Sequence, residues 1–285
     1  MISVMRQLTV LISIITLSVC ACRDHSEDEA SFTHTLVPPL IMSIPSDPTI
    51  STQCLSFDHR GNLWLTSGRL GSSELIRYTS EFTPETQRTP QWSRWPIDEH
   101  FAEGCAQIGQ HLLILTWRAR HVLTFDLETV SFERSAALST EGWGLAASSQ
   151  GVIYSDGSSE LHWLKVSDLG AQPHLEVLQT TTVRDQGDPV YQLNELEWFD
   201  QYLLANLYPL DQIAVIRPDR GEVIARLDLS YLRGHEGDTA RELNGVAYQS
   251  SSGLLLVTGK EWSKIHVLDS VWIKRQLSLI MRDHD

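Results

Sequence analysis

The segment QCLSFDHRGNLWLTSG, residues 53–68, carries the pattern that decides the fold. It opens on a polar residue, continues as an apolar strand, turns at a polar stretch around Gly61 and ends in a second apolar strand. The same order recurs in EGCAQIGQHLLILTW, WGLAASSQGVIYSDG, NELEWFDQYLLANL and NGVAYQSSSGLLLVTGK, which start at Glu103, Trp143, Asn194 and Asn244. The five starting residues lie 50, 40, 51 and 50 positions apart, so the chain is built from a repeat.

A repeat of this length, made of short strands, is typical of a propeller blade. One blade cannot bury its own faces, so such units close into a ring. Each repeat continues into a similar third strand, and these are Glu74–Tyr78, His121–Phe125, Glu160–Lys165, Gln212–Arg217 and Lys264–Leu268. A less uniform outer strand fits into each gap. The sequence therefore predicts an all-β fold, a five-bladed β-propeller whose five starting residues meet around a central channel.

The charge of the chain limits its partners. The 285 residues carry a net charge of −14, and the lysines and arginines form no basic stripe. This balance argues against nucleic acid and against anionic lipid surfaces as partners. We expect a soluble, acidic surface and, since propellers are often monomers, a monomer.

Residues 1–22 predict an export signal. Arg6 precedes an apolar run from Leu8 to Val19, which small residues follow, and the run is too short for a membrane span. Val19-Cys20-Ala21-Cys22 also resembles a bacterial lipobox with Cys22 as the lipidated residue. Two outcomes fit this segment: a membrane-anchored lipoprotein, or simple cleavage and secretion. Either one places the protein in the periplasm or outside the cell.

The rest of the chain divides into a tether and one domain. Residues 23–48 are polar and proline-containing, and they predict a tether that leads into a first strand. Residues 49–285 form the predicted propeller domain. Apart from the signal, the sequence shows no sustained helical periodicity, although Leu229–Arg233 suits a short helix. The apolar tail from Val271 onward is expected to complete the last blade or wrap around it.

Two cysteines, Cys54 and Cys105, remain after the signal. A disulfide between adjacent blades suits an oxidising compartment. However, Cys54 lies one residue after its repeat start and Cys105 lies two residues after, and this offset directs their side chains to opposite strand faces. We therefore predict two buried free thiols.

The predicted channel mouth collects the polar chemistry. Each second strand ends beside the start of the first, because the two strands are antiparallel. The mouth is therefore expected to combine one free carboxylate, one cation, three amides and three aromatic rings, namely Glu103, Lys260, Gln53, Asn194, Asn244, Trp117, Trp143 and Tyr208. A polar group on an apolar inner strand is unfavourable unless it faces water or a ligand, so this set predicts a functional mouth.

A single carboxylate in an aromatic pocket is a candidate general acid and base, since burial raises its pKa. Amides and a lysine can donate to a developing oxyanion. One carboxylate is too few for a divalent-metal site, and no HExxH pair, GxSxG elbow or glycine-rich phosphate loop occurs. We therefore expect no metal and no cofactor.

Seven strings resemble the plant-type glutaminyl-peptide cyclotransferases, the glutamine cyclotransferase family. They are FAEG (101–104), LTWR (115–118), EGWGL (141–145), SDGS (155–158), NELE (194–197), LNGVAY (243–248) and VTGK (257–260). They span roughly residues 50 to 270 in order. The resemblance implies a five-bladed propeller that converts an N-terminal glutamine of peptides or proteins into pyroglutamate and releases ammonia, without a catalytic metal.

The resemblance also implies roles for individual residues. Catalytic roles fall on the glutamate of FxEG, the lysine of VTGK and the asparagine of NELE, which are Glu103, Lys260 and Asn194. Substrate-binding roles fall on Gln53, Phe101, Trp117, Trp143, Tyr208 and Asn244. Two positions depart from the family pattern and bear on substrate preference. The family's FTQG reads STQC from Ser51, and Tyr208 stands where a tryptophan is usual.

Two alternatives remain at this stage. One is a non-catalytic exported propeller that binds peptides or glycans, which the altered pocket walls favour slightly. The other is a metal-dependent, lactonase-like propeller, against which the lone mouth carboxylate argues.

Overall fold

The computed structural model describes residues 33–79 and 91–283. The predicted export signal, the lipidation site Cys22 and residues 23–32 of the predicted tether lie outside the described residues. No helix in the described ranges has the length and apolar character needed to cross a bilayer.

The strands follow the predicted repeat. Two strands precede it, β1 (His34–Leu36) and β2 (Leu40–Pro45). The first repeat forms β3 (Thr52–Phe57), β4 (Leu63–Ser67), β5 (Ser73–Thr79) and β6 (Gln91–Ile97). The second forms β7 (Ala102–Ile108), β8 (His111–Thr116), β9 (His121–Asp126) and β10 (Ser131–Ala137). The third forms β11 (Leu145–Ser148), β12 (Gly151–Ser155), β13 (Glu160–Ser167) and β14 (His174–Thr182).

The second half of the chain adds two short strands and two helices. The short strands are β15 (Arg184–Asp185) and β16 (Asp188–Pro189). The fourth repeat forms β17 (Leu193–Phe199), β18 (Tyr202–Leu207), β19 (Gln212–Arg217) and β20 (Glu222–Asp228). A 3₁₀ helix (Ser230–His235) confirms the short helix expected near Leu229. The fifth repeat forms β21 (Leu243–Gln249), β22 (Leu254–Gly259) and β23 (Lys264–Leu268), and α1 (Ser270–Asp283) follows.

These strands assemble into an all-β propeller fold. Within the described ranges, four sheets have four strands each, and the fourth repeat lies in a seven-stranded sheet that also contains β1, β15 and β16. The innermost strands contact one another in a closed cycle, from β3 through β7, β11, β17 and β21 back to β3. Apolar clusters fill the spaces between neighbouring sheets, for example Trp64, Leu75 and Phe125 between the first two. This stacking of sheets around an axis buries both faces of each repeat.

The prediction of a tether over residues 23–48 is wrong for the part that forms β1 and β2. β2 pairs antiparallel with β23 and supplies the fourth strand of the last sheet, while β1 pairs parallel with β20. The physical reason is that the last repeat has only three strands of its own, and Leu40-Ile41-Met42-Ser43-Ile44 provides a β-prone edge partner. β2 therefore joins the beginning of the described chain to its last repeat.

The prediction that no sustained helix follows the export signal is also wrong, because the C-terminal tail forms α1. Ile273, Leu277 and Ile280 are buried on one side of this helix and pack into the cluster between the fourth and fifth sheets. Their spacing of four and three residues is that of one helix face, a signal that the sequence did contain.

Cys54 and Cys105 form a disulfide with a Cα–Cα distance of 5.6 Å, so the prediction of two free thiols is wrong. The offset argument would hold for two strands of one sheet. β3 and β7, however, belong to consecutive sheets that pack face to face. In a ring of stacked sheets, the front face of one sheet packs against the back face of the next. Two side chains that point to opposite faces of their own sheets therefore meet in the space between the sheets.

Candidate active site

The starting residues of the repeats gather at one end of the ring of inner strands. Strand register places the end of each second strand beside them, as Thr52 pairs with Ser67 and Ala102 with Thr116. Gln53, Glu103, Asn194 and Asn244 are buried, and Trp143 is half-buried. Gly144 lets two inner strands approach closely, because a Cβ there would lie 2.1 Å from the carbonyl oxygen of Asn194. We call this end of the ring the mouth.

Gln53 and Asn244 are joined directly at the mouth. The Asn244 Nδ2 donates to Gln53 Oε1 at 2.8 Å and to the Thr52 carbonyl oxygen at 3.3 Å. Asn244 is fully buried, so this pair is shielded from water. Because the Gln53 oxygen is occupied, its Nε2 is the atom left to donate to a ligand.

Glu103 and Lys260 interact electrostatically within the mouth. Burial raises the pKa of Glu103 well above its ordinary value of 4.5, and the nearby positive charge of Lys260 partly opposes that rise. Burial likewise lowers the pKa of Lys260 below 10.5, which the negative charges of Glu103 and Glu242 oppose. Burial therefore shifts the pKa of each group in the direction that favours its uncharged form.

Aromatic rings wall the mouth on two sides. Lys260 Nζ lies 4.7 Å from the centroid of the Tyr208 ring, and Tyr208 meets Trp143 edge-on at 6.1 Å between centroids. The rings of Phe101 and Trp117 lie 5.5 Å apart. These contacts are of the lengths that stabilise cation–π and aromatic pairs.

Phe101 also lies beside Gln53. Gly68 separates the two, since a Cβ at that glycine would come within 2.6 Å of atoms of both side chains. These contacts form two chains. One runs from Trp117 through Phe101 to Gln53 and Asn244. The other runs from Glu103 through Lys260 to Tyr208 and Trp143. The structure therefore brings these predicted site residues together at the mouth.

The prediction that Glu103 is the lone mouth carboxylate is wrong. The negative charge of Glu141 acts on Glu103 and raises its pKa further, and Glu141 Oε2 accepts a 3.4 Å hydrogen bond from Trp143 Nε1. Glu195 is fully buried and also within electrostatic reach of Glu103. The sequence prediction considered only the starting residues of the repeats and therefore missed both Glu141 and Glu195.

Glu195 lies on the inner strand β17, next to Asn194. Its Oε1 accepts the Leu55 N–H across the ring at 3.1 Å, while its Oε2 has no hydrogen-bond partner among the described residues. Burial raises its pKa well above 4.5. The register of β17 shifts between Leu193 and Leu196, and such a bulge breaks the strict alternation that would send neighbouring side chains to opposite faces.

The far end of the ring holds a different polar cavity of about 310 Å³, where the inner strands end. Glu197 lines it, and the Trp198 and Tyr248 N–H groups donate to its two oxygens at 2.8 and 3.2 Å. Burial raises the pKa of Glu197 to about 8, although these two hydrogen bonds favour its charged form. The ring thus carries acidic groups at its mouth, at Glu195 and at its far end.

Asp156 does not belong to the mouth chemistry. Its Oδ1 accepts hydrogen bonds from Ser158 N and Oγ, and its Oδ2 lies 2.9 Å from His162 Nε2. This is the local capping that an SDG turn predicts.

The fold and the mouth together define a propeller with a buried carboxyl, a lysine within its electrostatic reach, amide donors and aromatic walls. This arrangement is suited to acid/base catalysis on a small polar group. The family model described as glutamine cyclotransferase matches residues 11–269. The chain belongs to this family.

Two relatives agree with that assignment. A glutaminyl-peptide cyclotransferase of Arabidopsis thaliana is 29% identical over 237 residues, which cover 80% of this chain and 69% of the relative. The crystal structure of Myxococcus xanthus glutaminyl cyclase superposes with a TM-score of 0.70 at 27% identity, covering 83% of this chain and 97% of that one.

Proposed function

We propose that this protein is a five-bladed propeller enzyme that converts the N-terminal glutamine of peptides or proteins into pyroglutamate and releases ammonia. The observation that carries the proposal is the buried Glu103 at the mouth, within electrostatic reach of the half-buried Lys260 and beside the Gln53–Asn244 amide pair. Family membership supports it, since both relatives are named for this reaction.

The reaction is intramolecular, so the substrate itself supplies proximity. The α-amine attacks the side-chain carboxamide carbon, a C–N bond forms, and the C–N bond to the departing ammonia breaks. Glu103 takes a proton from the amine and passes it to the leaving nitrogen. A general base is most effective when its pKa lies near the working pH, and burial moves the pKa of Glu103 in that direction.

The carboxamide oxygen gains negative charge as the ring closes. Lys260 and the Gln53 Nε2 would stabilise this charge, with Asn194 as a further donor. The Asn194 Oδ1 is buried without a partner in the described residues, so it can accept an N–H of the leaving amide. A bound glutamine would therefore satisfy a polar atom that is otherwise unpaired.

The rings shape the pocket around the glutamine. Phe101, Trp117, Trp143 and Tyr208 would pack against its methylene groups and exclude water. Because Asn244 donates to Gln53 and to the backbone, we assign it the positioning of Gln53 rather than a contact with substrate.

We propose that the chemistry proceeds without a metal ion. Glu103 interacts electrostatically with two further acids, Glu141 and Glu195, so the number of carboxylates no longer argues against a metal. The argument that remains is Lys260, whose charge interacts with Glu103 and would repel a divalent cation placed there.

We also propose that the protein is exported and acts in the periplasm or outside the cell as a monomer. The disulfide between Cys54 and Cys105 supports an oxidising compartment. The lipobox-like segment ending at Cys22 supports a lipid anchor.

The proposal is tested by measuring ammonia release from glutaminyl-glycine amide with the purified protein, with and without EDTA. We expect catalytic turnover that EDTA leaves unchanged. Tight binding of the peptide without ammonia release would identify a non-catalytic binding protein instead. Loss of activity in EDTA, restored by added metal, would overturn the metal-free mechanism alone.

A further inference from the structure

A groove opens beside the candidate active site on the mouth face of the seven-stranded sheet. Its volume is about 430 Å³, and it lies between the segment that leads into β17 and the turn that follows β18. Leu207 and Tyr208 line its inner end. Because Tyr208 also contacts Lys260 and Trp143, the groove and the mouth share one wall.

The groove has a polar side, formed by Asp185, Gln186, Asp188 and Arg226, and an apolar side that is partly exposed. Tyr191 is 62% exposed and Leu210 is 48% exposed, and both line the groove together with Pro189 and Val190. Exposed apolar side chains that share one concave surface mark a binding site more often than isolated ones do. The volume lies within the roughly 300–1,000 Å³ typical of small-ligand sites.

The walls of the groove are held in place. The Tyr208 N–H donates to the Gln192 carbonyl oxygen at 3.0 Å, which fixes the segment before β17 against the mouth. Arg226 Nε donates to Asp185 Oδ2 at 2.8 Å and so anchors the β15–β16 hairpin to β20. Asp185 also balances the positive charge of the Arg226 guanidinium, so Arg226 offers the groove no unpaired cation.

We propose that the groove binds the side chain of the second substrate residue, the one that follows the N-terminal glutamine, and that it favours a large apolar residue there. This inference rests on the proposed function. Consecutive Cα atoms lie about 3.8 Å apart, so a glutamine held in the mouth places the second residue beside the shared Tyr208 wall. The mouth offers amides and charges to the glutamine, and Tyr191 and Leu210 on the apolar side of the groove offer apolar surface to its neighbour.

The test compares kcat/KM for glutaminyl-leucine amide and glutaminyl-glycine amide. We expect the leucine substrate to be preferred about tenfold, the usual range for added apolar groups in a pocket. Leu210→Ser should bring that ratio towards 1. Leu178→Ser is the matched control, because Leu178 is a 60% exposed leucine on β14 outside the groove and should leave the ratio unchanged.

Calorimetric binding of pyroglutamyl-leucine amide and pyroglutamyl-glycine amide separates the groove from the catalytic proposal. Tighter binding of the leucine compound without any ammonia release would support the groove and contradict the proposed reaction. Ammonia release with a ratio near 1, or with a ratio that Leu210→Ser does not change, would overturn the groove and leave the reaction standing. Absence of both turnover and binding would contradict both.

Discussion

The carboxyl of Glu103 and the ammonium of Lys260 each counteract the effect of burial on the other. Burial raises the pKa of the acid and lowers that of the base, and the attraction between their charged forms opposes both shifts. Each charge therefore favours the charged form of its neighbour, against the burial that favours the neutral form of both. Three of the predictions below concern buried acidic groups of this ring.

The first prediction concerns the acid limb of the profile of kcat/KM against pH. Activity should fall as the pH drops through the pKa of Glu103, because the protonated acid cannot act as a base. Glu141→Gln removes a negative charge that raises this pKa, so the limb should move to lower pH. Lys260→Met removes the positive charge that lowers it, so the limb should move to higher pH.

The comparison has an internal control. The kcat/KM profile reports the free enzyme and the free substrate. The α-amine of the free substrate titrates equally in all three experiments, so only the enzyme group can displace one limb from another. The glutamine at position 141 can still accept the hydrogen bond from Trp143. Two shifts of the same sign, or two unmoved limbs, would contradict Glu103 as the titrating group.

The second prediction concerns the stability of the protein against pH. Burial raises the pKa of Glu195 on folding, so the folded chain keeps a proton that the unfolded chain releases above about pH 4.3. The free energy of unfolding should therefore decrease as pH rises from that value towards the folded pKa. Glu195→Gln removes this contribution and leaves an oxygen that can accept the Leu55 N–H.

Urea unfolding between pH 5 and 8 provides the measurement. The free energy of unfolding of Glu195→Gln, measured relative to wild type, should increase as the pH rises. Glu197, whose pKa is raised to about 8, is present in both proteins, so its own contribution to the pH dependence remains in both. Glu99→Gln, at an exposed position, is the control and should run parallel to wild type. A parallel Glu195→Gln curve would show that the buried carboxyl carries no extra proton.

The third prediction concerns the disulfide. The bond between Cys54 and Cys105 spans 51 residues, so breaking it should lower the free energy of unfolding by about 2–4 kcal/mol through the greater freedom of the unfolded chain. The measurement is the urea midpoint with and without a reducing agent. The urea midpoint of a Cys54→Ala/Cys105→Ala double variant should not respond to the reducing agent. A wild-type midpoint that reduction leaves unchanged would contradict a stabilising role of the disulfide.

The sequence was sufficient to locate the repeat and most of the mouth. The spacing of Gln53, Glu103 and Asn244 predicts which side chains share one end of the ring, because equivalent positions of a closed repeat lie at equal heights. The third strands also fall where they were expected, as in β19 (Gln212–Arg217). These features depend on local periodicity, which a single sequence displays.

The remaining features depend on relations between distant segments. β2 closes a sheet with β23 across more than two hundred residues, and nothing local marks that partnership. The disulfide depends on the way consecutive sheets face one another, and Glu195 faces inward because a bulge alters the alternation of β17. Strand patterns predict which residues alternate, but not the packing of sheets or the position of bulges.

The most direct test of the account is the rate of ammonia release from glutaminyl-glycine amide by wild type and Glu103→Gln. We predict a loss of roughly 10²–10⁴-fold in kcat, the usual contribution of a positioned acid or base. Glu141→Gln, at a neighbouring carboxyl assigned no proton transfer, should retain near wild-type kcat at its own optimal pH. Equal rates for wild type and Glu103→Gln would contradict the assignment of Glu103 as the group that moves the proton.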